Sequence, residues 1–298
     1  MRDAPAPGRA DLVLLLANVV YGTAYVAQRM ALTDVPPAML AFARLAVASA
    51  VLLPFLPRPP GTRAARGDGA KIFWMGVLGF GVAYVLSHVG LQRSTATNAA
   101  LLVTMEPVCL MLLSPLVLHE RLRRREVLSA ALVLVGAVVV VLNGVPGVTL
   151  AMFPHWRGDV LLVLSAVAFA SYSLLGRDVL ARWDVRTVTA RSIVWGALSM
   201  APVTALEWVS GARPTLTPVG VAATAYLAVV VTALAYLAWN YALALVSAPR
   251  AAIFINVQPV VGVGLGVLFL GESATVFTVA GGLLVVAGLA TTASARAA

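Results

Sequence analysis

The sequence predicts an all-α integral membrane protein with ten transmembrane helices in two inverted-topology five-helix repeats. Three observations predict it. Of 298 residues, 61% are hydrophobic and 11% charged, with mean hydropathy +0.94; a soluble domain is about 45–50% apolar and about 25% charged. Turn and charge signals divide the chain into ten apolar runs. Residues 84–122 also align with 236–274 without a gap, at a constant offset of 152.

A spanning helix needs about 20 mostly apolar residues, and backbone facing lipid must satisfy its own hydrogen bonds. The runs meeting this are 12–30, 37–57, 71–90, 96–118, 126–143, 159–177, 187–208, 217–242, 250–270 and 274–292. Pro36-Pro37 and RPPGTRAARGDG (58–69) separate the first three, and RLRRRE (121–126) separates the fourth from the fifth. The Gly/Pro-rich stretch NGVPGVTLAMFPHWRG (143–158) divides the halves. The weakest break lies within 214–249, 36 residues without a charge and too long for one span. The basic-then-apolar opening mimics a secretory signal. Asp3, Asp11 and the lack of A-x-A before Gln28 speak for a retained first span.

Basic residues orient the chain. With the N-terminus cytoplasmic, inner segments hold 15 of the 21 Lys and Arg, outer segments hold Arg29, Arg93, Arg157 and Arg213, and Arg44 and Arg191 fall within spans. Cytoplasmic loops are enriched in Lys and Arg, so both termini are expected inside. The net charge of +9 is then a topology signal, and nucleic acid is not an expected partner. The single cysteine, Cys109, excludes an intrachain disulfide, and no metal-type Cys/His cluster is evident.

In the internal alignment Tyr84 meets Tyr236, Ala99-Ala100 meet Ala251-Ala252, Pro107-Val108 meet Pro259-Val260, and Glu120 meets Glu272. The openings DLVLLLANVVYGTAY (11–25) and DVLLVLSAVAFASYS (159–173) also correspond. The expected units are 11–143 and 159–292, joined by 144–158. Five spans per unit is odd, so the second copy enters from the opposite side. Such inverted repeats are typical of secondary transporters, whose substrate sites lie near the midplane beside broken helices.

Two polar residues are expected at that depth: Glu106 in the fourth span and Gln258 in the ninth, each followed by a proline. Pro107 has no N–H for the carbonyl of Val103, and Pro259 none for Ile255. A charge at the helix centre costs about 2.5–3.5 kcal/mol on insertion scales. Glu106 is therefore expected to meet a partner, a water-filled cavity or a proton. Arg44 is its natural partner from sequence; a purely structural Glu106–Arg44 tie is the competing reading. Asn256, neighbour of Gln258, joins the candidate substrate-binding set with Arg44, His88, Tyr84 and Trp239. Gln258, Gly262 and Gly266 share one helical stripe that allows close packing or leaves room for a ligand. Gly136, Gly281, Gly282 and Gly288 suggest packing faces. Glu120 and Glu272, at equivalent helix ends, are expected to cap or pair locally.

No GxxxxGK[ST] motif is present, and Gly262-x-Gly264-x-Gly266 lies inside a span with no strand before it, so neither ATP hydrolysis nor dinucleotide binding is expected. No Ser/His/Asp set or HExxH is evident, so no enzyme, metal or cofactor is expected.

The paired features Glu106-Pro107…Leu118-His119-Glu120 and Gln258-Pro259…Leu270-Gly271-Glu272 resemble the drug/metabolite transporter superfamily, in its ten-helix EamA-like branch, over essentially the whole chain. The resemblance implies a central cavity built from both halves, with the fifth and tenth spans peripheral, Glu106 and Gln258 at the cavity, and Glu120 and Glu272 at helix ends. It implies export of amino acids or similar metabolites across a bacterial inner membrane, with protons as a candidate coupling ion and a monomer or homodimer as the assembly. Gln258 standing opposite Glu106 breaks the symmetry, against a two-carboxylate mechanism. The alternatives are a sugar-phosphate or nucleotide-sugar exchanger, a drug efflux pump and, more remotely, a membrane receptor or enzyme without transport.

Overall fold

The computed structural model describes residues 7–56, 65–109, 112–113, 124–143, 155–243 and 254–295. Ten helices and no strand occur among them. α1 is Pro7–Ala31 and α2 Pro37–Leu52. α3 runs Asp68–Gly76, a π-helical segment Val77–Val82, then Ala83–Gln92. α4 begins as Ala96–Val103, turns at 104–105 and resumes at 106. α5 is Arg124–Leu142, α6 Trp156–Arg182 and α7 Val185–Val209. α8 runs Pro218–Ala225, a π-helical segment Tyr226–Leu234, then Ala235–Leu243. α9 is Val257–Leu270 and α10 Val276–Ala295.

The two halves are built into each other. α1 packs on α8 and α9, and its counterpart α6 packs on α3 and α4; α2 packs on α7, α4 on α9, and α5 on α10. Exchanging the halves therefore reproduces the same pattern of neighbours, as a pseudo-two-fold requires. Outward faces stay apolar, with Leu128 and Val138 on α5, Leu268 and Phe269 on α9, and Val276 and Leu283 on α10 all exposed. Large apolar surfaces of this kind suit lipid and not water.

α5 and α10 form a pair at the edge. A Cβ on Gly136 would lie 2.7 Å from the Gly281 carbonyl oxygen, and one on Gly288 2.4 Å from Val133. Ser129 Oγ donates to the Gly288 carbonyl at 2.6 Å. Small residues let the two backbones meet, the usual helix-pairing device in lipid.

Polar ties between the halves sit at helix ends. Glu272 accepts from the amides of Ala96 (2.7 Å) and Thr97 (2.8 Å), capping α4. Gly271, at φ 64°, turns the chain to bring Glu272 there, a conformation glycine adopts without steric cost. Glu207 does the same for α2, accepting from Ala38 (3.2 Å) and Met39 (2.8 Å). Both carboxylates face the positive end of a helix dipole. At the start of α3, buried Asp68 accepts from Arg182 Nη2 (2.5 Å) and Nε (3.2 Å) and from Trp183 Nε1 (3.0 Å). At the start of α8, Thr217 donates to Asp34. In the last two cases the link between the first two helices of one half holds the third helix of the other. Glu120 lies outside the described residues.

Candidate functional site

α4 and α9 break at matching places. α4 is interrupted at 104–105 and α9 is preceded by a turn at Asn256, which the offset of 152 aligns with Thr104. Pro107 and Pro259 follow three residues later in each. Thr104 Oγ1 donates to the carbonyls of Ala100 and Leu101, both at 2.9 Å, satisfying oxygens beside the break.

Glu106 sits just past the break, partly buried. Ser173 Oγ of α6 donates to its Oε1 at 3.1 Å. The carboxylate of the first half is thus held by the first helix of the second half. Gln258 makes the equivalent reach into the first half: its Nε2 donates to Asn18 Oδ1 on α1 at 2.8 Å, and Asn18 Nδ2 donates to the Leu14 carbonyl. Gly262 and Gly266 on the same stripe are filled by neighbours, with Ala100 Cβ 2.4 Å from a Cβ built on Gly262 and Thr97 Oγ1 2.7 Å from one on Gly266. That stripe is a packing face against α4 and α1.

Arg44 is buried on α2 and does not pair with Glu106, correcting the expectation from sequence. No ion pair joins them among the described residues. Its Nε donates to Thr232 Oγ1 at 2.5 Å, its Nη1 approaches Gln28 Oε1 at 3.4 Å, and its Cζ lies 4.2 Å from the centroid of the Tyr84 ring. The physical reason is α8: its π-helical segment presents the Thr232 hydroxyl to α2. Tyr84 also stacks on His88 (5.9 Å, 30°), whose Nδ1 lies 3.1 Å from the Pro37 carbonyl oxygen. Phe80 packs edge-on to Tyr84 and Tyr172 and lies tilted against Tyr236. Tyr21 on α1 lies edge-on to Tyr236, with ring centroids 5.6 Å apart.

Arg44, Tyr84 and His88 are therefore brought together, and Phe80 links Tyr84 to Tyr172, the neighbour of the Ser173 that holds Glu106. Asn256 sits at the head of α9. Trp239 packs against the buried pair Leu14 and Ala242. Arg191 stands over Trp183 at 5.0 Å, away from Arg44.

Sequence reasoning passed over Ser173, Thr232 and Gln28. Thr232 carried a faint signal as the only polar residue in LAVVVTALA (227–235). It also passed over buried Asp159 at the start of α6, which binds Ser94, Asn98 Nδ2 (3.1 and 3.2 Å) and His155 Nδ1 (2.8 Å), tying α6 to the start of α4.

Two stretches, 8–142 and 156–294, match the EamA-like transporter family. The chain belongs to that family. A protein of Archaeoglobus fulgidus, named only as an uncharacterized transporter, is 27% identical over 94% of this chain and 96% of its own length. A probable terminal-alkyne amino-acid exporter of Streptantibioticus cattleyicolor is 27% identical, covering 94% and 92%. A probable amino-acid metabolite efflux pump of Salmonella typhimurium is 25% identical, covering 92% and 91%. One solved crystal structure shares this fold at a TM-score of 0.64 and 19% identity, covering 96% of this chain and 97% of that one. The protein is a multi-pass membrane transporter.

Proposed function

We propose that the protein exports amino acids or similar small metabolites across a bacterial cytoplasmic membrane by alternating access, with both termini inside. Glu106 binds the substrate ammonium or a proton that competes with it. The observation carrying this reading is Glu106 itself: a carboxylate at a helix break, held only by a neutral hydroxyl of the opposite half among the described residues. A group placed there changes its surroundings whenever α4 and α6 move relative to each other. The two relatives named for amino-acid export support the substrate class.

The test is uptake of a labelled amino-acid mixture into proteoliposomes, with and without a pH gradient, beside Glu106→Gln. Gradient-driven uptake that disappears in the variant is expected. Equal uptake in both, indifferent to pH, would remove Glu106 from the mechanism.

A further inference from the structure

Arg44 is a buried cation balanced by neutral groups. Its recorded partners are a hydroxyl, an amide oxygen and an aromatic face. A guanidinium keeps its proton and carries five N–H donors; two are engaged here. A charge at this depth is stable only when paired or hydrated. Nearby polar groups are similarly underused: Tyr84 Oη, His88 Nε2 and Tyr21 Oη are buried without a hydrogen-bond partner. The Tyr84 ring touches both Arg44 and His88.

Thr232 fixes where the guanidinium points. Its hydroxyl donates to the Leu227 carbonyl at 2.8 Å, a reach of five residues that the π-helical turn creates. The single proton is spent there, so Oγ1 can only accept, and it accepts from Arg44 Nε. With Nε anchored and one Nη1 hydrogen directed at Gln28, the other Nη1 hydrogen and both on Nη2 are left for a ligand. Carboxylates match that fork in two parallel bonds.

We propose that Arg44 is the subsite for the substrate's carboxylate, and that Thr232 is its positioning residue. Resting on the reading of Glu106 above, this makes the site dipolar: ammonium toward Glu106, carboxylate toward Arg44, with Tyr84, Phe80 and Tyr172 in series from Arg44 to the neighbour of Ser173, the partner of Glu106. The ligand is an amino-acid zwitterion; its amide or its decarboxylated amine lacks the second anchor.

The experiment is counterflow in proteoliposomes with labelled L-leucine, L-threonine and L-phenylalanine, competed by the free acids, their carboxamides and the matching amines. Variants are Arg44→Lys, Arg44→Gln, Thr232→Val and Thr232→Ser, each checked for folding by gel filtration and melting temperature. In the wild type the acids should compete at least about 100-fold better than the amides, as loss of a charge-assisted pair predicts. Arg44→Gln should erase that preference. Thr232→Val should raise KM about tenfold with Vmax little changed, and Thr232→Ser should restore it; a packing role would not be rescued by the smaller alcohol. Wild-type transport of amines and amides as well as acids, lost in Glu106→Gln, would overturn the carboxylate subsite and leave the ammonium reading standing. Thr232→Val with wild-type KM and acid preference would overturn the positioning role. Transport of neither amines nor acids would overturn both readings.

Discussion

Ser173 and Glu106 lie 67 residues apart in sequence and 3.1 Å apart across the interface of the two halves. A hydrogen bond to a charged group contributes about 1.5–3 kcal/mol. Ser173→Ala is therefore expected to change substrate affinity at least about tenfold, with little effect on the melting temperature. Ser173→Thr should keep the bond. Transport KM, read beside thermal unfolding in detergent, checks this.

Glu272 caps α4 from the far half. Glu272→Ala removes acceptors from two amides at once, and loss of an N-cap costs about 0.5–2 kcal/mol. A lower melting temperature is expected, and Glu272→Gln should fall between the two. An unchanged melting temperature in Glu272→Ala would show that the cap is energetically idle.

Gly262 and Gly264 offer a paired test two residues apart. Gly262 has Ala100 Cβ 2.4 Å from its missing Cβ, whereas nothing lies within 4 Å at Gly264. Gly262→Val should destabilise by about 1–3 kcal/mol through overpacking. Gly264→Ala should be neutral or slightly stabilising, since alanine is the better helix former. Melting temperatures of the two variants decide it.

Asp68 binds Arg182 and Trp183 in a buried clamp. Arg182→Ala leaves that carboxylate with fewer donors, and a buried acceptor left short costs about 1–3 kcal/mol or more when charged. Loosening of the α3–α6 contact is expected, read as faster labelling of a cysteine placed at Lys71. Asp68→Asn with Arg182→Ala should be less damaging than Arg182→Ala alone, because the stranded charge is gone.

Much of this was legible in the sequence. Ten apolar runs, the paired prolines and the constant offset follow from what lipid demands of a backbone, and those demands are local. The partners of the central charges were not legible. Hydropathy places Arg44 and Glu106 at similar depth, but depth does not say which way each helix is rotated. Hydroxyls were missed for another reason. Ser and Thr in a span commonly bond their own helix carbonyls, as Ser192 and Thr189 do here, so Ser173 and Thr232 look ordinary until the opposite half is in place.

The π-helical segments make the two halves irregular at the same place. Shifted by 152, Val77–Val82 falls on 229–234, inside Tyr226–Leu234. A π-helical turn closes its backbone bonds one residue further along than an α-helical turn, so the third helix of each half carries the same local widening. The two halves then differ in what they set into it: Thr232, which holds Arg44, stands where the first half has Phe80, the centre of the aromatic cluster.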